Sequence, residues 1–140
     1  MLLEGSNVSQ LLVNSSDGNS KSLSFRGRLP SVIYFFSPTC TWCERNLANI
    51  QSLARQNRNK YAFYGVSLTD TGLRDYIENK PMGFEVYSLA RDTPASLLPP
   101  GTPTTIVINS DGIIVKKWDG AFIGHGRQEV ERFFGCSLPN

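Results

Sequence analysis

Ser31-Val32-Ile33-Tyr34-Phe35-Phe36-Ser37-Pro38-Thr39-Cys40-Thr41-Trp42-Cys43 is the stretch on which the fold turns. After Ser31, the five residues Val32 to Phe36 are apolar, β-branched or aromatic and lack polar alternation, which predicts a strand over Ser31 to Phe36 buried on both faces. Ser37-Pro38-Thr39 is a short loop, and the C-x-x-C opens a helical pattern in which Leu47, Ile50, Leu53 and Ala54 share a face as far as about Arg58. Two thiols at this spacing and at a helix start suit reversible disulfide chemistry. The helix's free N–H groups and positive end stabilise a thiolate, the reactive form of the group.

Working outward, Tyr61 to Leu68 is a second strand candidate. A short helix follows, with Leu73, Tyr76 and Ile77 on one face, Asp70 or Thr71 to cap it and Pro81 to stop it. Phe84 to Leu89 reads as a brief strand. Thr104 to Ile108 and Ile113 to Trp118 flank Asn109-Ser110-Asp111-Gly112, a hairpin signal, and Gln128 to Phe134 is the last helix. Upstream, Gln10 to Val13 and Ser22 to Phe25 form an edge hairpin about Asp17-Gly18. The order of elements predicts an α/β protein: a three-layer α/β/α sandwich on a central mixed sheet, since β-α-β units pair in parallel and the late hairpin must be antiparallel. Residues 1–20, rich in Ser, Asn and Gly, read as a flexible lead-in or linker, and 21–140 as the domain.

Composition narrows the function. At 140 residues, 40% apolar and 19% charged, the chain has the make-up of one soluble domain. A formal charge of +2 with scattered Lys and Arg gives no nucleic-acid patch. No apolar run approaches the roughly 20 residues that cross a bilayer. The segment after Met1 lacks a signal-peptide pattern, which leaves a cytoplasmic protein or an exported one whose leader or anchor lies outside this sequence. Three cysteines make no disulfide scaffold; Cys136, beside Phe133 and Phe134, reads as a small apolar residue under the last helix.

A C-x-x-C also serves haem attachment and zinc. Haem attachment wants His directly after the second Cys, where Glu44 stands. Zinc wants a closed set of four ligands, and beyond the pair the soft ligands are Cys136 and His125 alone. The second informative element is Gly101-Thr102-Pro103-Thr104-Thr105. X–Pro bonds have only a weak trans preference, so either isomer is open where this turn enters a strand. With a cis bond facing the thiols, the Thr102 backbone would hold an extended substrate segment by β-type pairing.

Together, Tyr34-Phe35-Phe36, Cys40-Thr41-Trp42-Cys43, Gly101 to Ile108, Asp111-Gly112 and Trp118 to Gly120 resemble the thioredoxin-like superfamily, and within it the TlpA-like (redoxin) thiol:disulfide oxidoreductases. The resemblance runs from about Leu23 to Phe134. It implies a cis bond at Pro103, a nucleophilic Cys40, a resolving Cys43, and substrate contacts from Thr41, Trp42, Thr102 and Pro103. It further implies no cofactor beyond the Cys40–Cys43 disulfide, no metal, protein thiol or disulfide clients with an upstream redox partner, and a monomer. Location would be extracytoplasmic, periplasmic or held by an N-terminal membrane anchor, with work that includes cytochrome c maturation; a cytoplasmic place stays open. The Thr before Pro103 and the lack of His inside the pair lean toward a reductase.

The chain departs from that pattern at three places. Thr39 stands where Trp usually precedes the first Cys, Asn46 where a Glu is common, and Tyr34 where thioredoxins have a buried Asp. Glu44 is expected to face solvent, and Asp70 is a candidate substitute acid. Three other readings stay open. One is a copper chaperone using Cys40, Cys43 and His125, and another a non-catalytic module with inert thiols. The third is a peroxidase of the peroxiredoxin type, which would share Ser37 but wants Pro where Ile33 sits.

Overall fold

The computed structural model describes residues 2–27 and 29–140. Seven strands are β1 (Gln10–Asn14), β2 (Ser20–Ser24), β3 (Ser31–Phe36), β4 (Ala62–Ser67), β5 (Glu85–Leu89), β6 (Thr104–Ile108) and β7 (Ile114–Asp119). They make one sheet in the order β2-β1-β5-β4-β3-β6-β7. β4 runs parallel to both β3 and β5, while β6 is antiparallel to β3 and β7. This is the mixed sheet expected from the order of elements.

Every residue of β3 is buried, as its composition requires of a central strand. Its alternating side chains feed two cores. Val32, Tyr34 and Phe36 pack with Ile50, Leu53, Tyr76, Val130 and Phe134. Ile33 and Phe35 pack with Leu2, Val8, Leu11, Phe25 and Ile106 on the other face. Burying each such side chain contributes on the order of 1.5–3 kcal/mol. The helices α1 (Thr41–Arg45), α2 (Leu47–Asn57), α3 (Leu73–Asn79) and α4 (Gly124–Phe134) all send side chains into the first core. The second face is covered more thinly, by the 3-10 turn Ala95–Leu97 and the N-terminal segment.

That last point corrects the reading of residues 1–20 as a loose lead-in. Leu2, Val8, Leu11 and Val13 are buried, and β1 pairs on both sides, with β2 and β5. The segment also hydrogen-bonds to the β6–β7 hairpin: Val8 N–H donates to the Gly112 carbonyl at 2.6 Å, and Gly5 N–H to that of Ile114 at 2.8 Å. Ser, Asn and Gly dilute its composition, but its few large apolar side chains are the ones the second sheet face lacks helices to cover. Gly112 sits at φ +85°, a left-handed turn position, with Val8 and Ser9 backbone against it.

Other boundaries differ locally. The helix expected from Cys40 to Arg58 is divided at Asn46, though Asn46 N–H still donates to the carbonyls of Trp42 and Cys43 at 3.0 and 3.2 Å. Neither Asp70 nor Thr71 caps α3; Gly72 does, at φ 72°, with no side-chain cap. α4 begins at Gly124 rather than Gln128, because the step out of β7 is short.

Candidate active site

The β3 strand ends at Phe36 and the chain turns through Ser37 to Thr39, where Cys40 N–H donates to the Ser37 carbonyl at 3.1 Å. Cys40 is the N-cap of α1 in extended backbone, and its Sγ accepts from Cys43 N–H at 3.1 Å. A sulfur in that place meets one of the helix's unpaired N–H groups, an arrangement that favours its anionic form once the disulfide is opened. Cys40 and Cys43 are joined as a disulfide. The two halves differ in access: Cys40 is half-buried, whereas Cys43 is 1% exposed and belongs to the helical core.

The Thr102–Pro103 peptide bond is cis. Phe35 pairs with Thr104 in the antiparallel β3–β6 register. Continuing that register sets Pro103 across from Phe36 and Thr102 across from Ser37, so the proline turn lies at the end of the sheet from which the cysteine loop departs. Pro103 is buried and Thr102 half-buried. Thr104 Oγ1 donates to the Gly101 carbonyl at 2.7 Å, and Gly120 N–H to that of Pro103 at 2.7 Å, which fixes the turn entering β6 against the end of β7. Thr41 is exposed, and Trp42 is 46% exposed, a surface residue. The Arg45 guanidinium lies 4.8 Å over the Trp42 ring.

Asn46 is the residue that reasoning from sequence undervalued, having registered it only as a missing acid. It is 1% exposed and joins three parts of the chain. Its Oδ1 accepts from Phe122 N–H at 2.9 Å and from Asn49 Nδ2 at 3.4 Å, and its Nδ2 donates to the Tyr34 hydroxyl at 3.3 Å. Asn49 adds a bond to the Phe122 carbonyl at 3.3 Å. The signal was present: Cys43, Asn46, Ile50, Leu53 and Asn57 follow one helical face, so an amide there must be buried. Burial holds the Tyr34 phenol well above its ordinary pKa, and the Asn46 hydrogen bond only partly opposes this.

Other candidates fall away from the pair. Asp70 is exposed and pairs with Arg91 at 3.8 Å, so it is not a buried substitute acid. Glu44 faces solvent, as expected, and pairs with Lys80. His125 is exposed in the first turn of α4. Among the described residues no three His, Cys, Asp or Glu side chains gather as a metal site, so the copper set of Cys40, Cys43 and His125 is not assembled. Cys136 packs against the helical core, and burial pushes its thiol pKa up. A cleft of about 620 Å³ opens between α2 and the starts of β4 and β5, lined by Arg55, Arg58, Tyr61 and Phe84, and does not include the cysteines. Chemistry therefore marks the site better than concavity does.

No protein-family model matches the chain, and no curated protein matches it in sequence. Solved structures do match. The thioredoxin domain of a thiol-disulfide oxidoreductase from Bacteroides vulgatus is 24% identical over 96% of this chain and 99% of its own, with a TM-score of 0.75. A thiol:disulfide interchange protein from a Bacteroides species is also 24% identical, over 96% of this chain and 91% of its own, with a TM-score of 0.75. A secreted disulfide oxidoreductase of Mycobacterium tuberculosis, homologous to E. coli DsbE, is 14% identical over 90% and 95%, with a TM-score of 0.63. The chain thus has the thioredoxin-like α/β fold of these oxidoreductases.

Proposed function

We propose that this protein is a thiol:disulfide oxidoreductase that exchanges disulfides with protein clients, with Cys40 as nucleophile and Cys43 as the resolving thiol. The observation that carries the reading is the asymmetry of the pair: bonded cysteines at a strand-to-helix corner, one accessible and at the helix cap, the other buried beneath it. The fold shared with thiol-disulfide oxidoreductases supports it.

In the reducing direction, the Cys40 thiolate attacks one sulfur of a client disulfide. The client S–S bond breaks as the Cys40–client bond forms, and the departing client sulfur takes a proton from solvent. The Cys43 thiol then loses its proton and attacks Cys40 Sγ, which releases the second client thiol and closes Cys40–Cys43. Two electrons pass to the client, and an upstream dithiol must return them. The backbone of Thr102, before Pro103, holds the extended client segment, with Thr41 and Trp42 flanking it. No group beyond the disulfide is required. With the neutral Asn46 one turn on and Glu44 paired to Lys80, the Cys43 proton leaves to solvent or to the leaving client sulfur, which suits a slow, client-assisted resolving step.

The protein acts as a monomer outside the cytoplasm, a place supported by its likeness in fold to the secreted mycobacterial oxidoreductase. Among the described residues no helix is long and apolar enough to cross a membrane. Its clients include the cysteines of c-type cytochromes before haem attachment, a role that depletion would expose as loss of covalently bound haem.

The deciding experiment is titration of Cys40–Cys43 against dithiothreitol or glutathione, with Cys136→Ser to leave one couple. A reversible two-electron transition nearer to roughly −270 mV than to roughly −120 mV is expected of a reductase. A value at the oxidising end would reverse the direction, and absence of a reversible couple would remove the reading altogether.

A further inference from the structure

We propose that the cation–π pair of Trp42 and Arg45 selects clients, favouring disulfides whose cysteines are flanked by carboxylate side chains; this rests on the oxidoreductase reading above. Between Ser37 and Leu47 the charged residues are Glu44 and Arg45. Glu44 is committed to Lys80, and the Lys80 ammonium also sits 5.4 Å from the Tyr76 ring centre. That ion pair ties α1 to the end of α3 and cancels its own charge. Arg45 forms no ion pair among the described residues, so the uncompensated charge beside the disulfide is a cation.

The position of Arg45 is defined by its neighbour. Residues at i and i+3 share a helical face, and here the guanidinium lies 4.8 Å over the Trp42 ring. The ring holds the guanidinium in place, and with no ion pair among the described residues its N–H groups stay available to hold a carboxylate in the two-pronged way. Trp42, inside the C-x-x-C and 46% exposed, offers apolar area at the same spot. In the mixed disulfide the client's sulfur is bonded to Cys40. The residues beside the client cysteine then lie against Thr41 and Trp42, within reach of the Arg45 guanidinium. A client carboxylate meets a fixed partner there, whereas a client Lys or Arg meets a like charge that has no local anion to soften it.

The test uses three disulfide-bridged peptides identical except for Glu, Gln or Lys on each side of the cysteines. The full chain is reduced, freed of dithiothreitol and mixed with each, and second-order rates are read by acid quench and chromatography. The wild-type protein is expected to reduce them in the order Glu, Gln, Lys, each step about two- to fivefold, the worth of an exposed charge pair. High salt should compress the series. Arg45→Glu should reverse the order. Any change that Arg45→Glu makes to the Cys40 thiolate acts on all three peptides alike, so the ratio isolates recognition. Trp42→Ala should shrink the ratios while Arg45 remains, because the guanidinium loses the ring that fixes it. Equal wild-type rates, or an order unchanged in Arg45→Glu, would overturn the selectivity alone. If the reduced wild type turns over none of the peptides, the oxidoreductase reading falls and takes the selectivity with it.

Discussion

Asn46 occupies a position where an ionisable side chain would couple the buried thiol to solvent pH, and it supplies instead a neutral amide bonded to Phe122, Asn49 and Tyr34. Asn46→Ala leaves the Phe122 N–H and the Tyr34 hydroxyl without partners in a dry place, a loss expected at about 1–3 kcal/mol of stability, measured by urea unfolding of the oxidised protein. An unchanged midpoint would mean water enters and replaces the amide. Tyr34 gives a pH test. Its folded pKa is raised above the ordinary value of 10.0, by burial first. The unfolded phenol therefore loses its proton at a lower pH than the folded one. Stability from this group is complete below that ordinary value and is lost as pH climbs beyond it. Tyr34→Phe should flatten the decline in unfolding free energy between neutral and strongly alkaline pH relative to the wild type; an identical slope would assign the decline to other tyrosines.

At the scale of elements, the β1–β2 hairpin is the part whose weight was hardest to foresee. Leu11 is 3% exposed and lies in the second core beside Phe25 and Ile33. Leu11→Ala is expected to cost about 2–5 kcal/mol, seen as a lower denaturation midpoint; a loss below about 0.5 kcal/mol would put the hairpin in the class of independent surface elements. Much of the rest was legible. β3 declared itself by the unbroken apolar run Val32 to Phe36, the β6–β7 hairpin by Asn109 to Gly112, and the candidate site by its cysteines and Thr102-Pro103. What escaped depends on partners distant in sequence. Nothing local to Leu2 or Val8 says that the opposite sheet face lacks a long helix to cover it. Nothing local to Asn46 says that Phe122 N–H arrives there. Gly72 displaced Asp70 and Thr71 as the α3 cap because the turn out of β4 needs a left-handed residue at that step.

At the scale of the whole molecule, the cysteines and the proline turn sit at one end of the sheet, while the broad cleft by Arg55 and Arg58 lies at the other. The proposed redox exchange would thus take place at the rim of the sheet, with a buried Cys43 anchored in the same core as Val130 and Phe134. The N-terminal segment has a further bearing, on how the polypeptide acquires its shape. β1 pairs with β5, and Ser6 and Val8 bond to Ile114 and Gly112, partners that leave the ribosome only when most of the chain has been made. Contacts of such long sequence separation form late and slowly. The apolar segment over residues 2–9 must therefore wait, uncovered, for its docking surface. During refolding from urea, a brief protease pulse should clip within residues 2–9 after the Cys40 region has become protected; simultaneous protection would mean that the whole sheet closes in one step. An early-made segment is thus the last to lock, and the domain stays open until its synthesis is nearly complete.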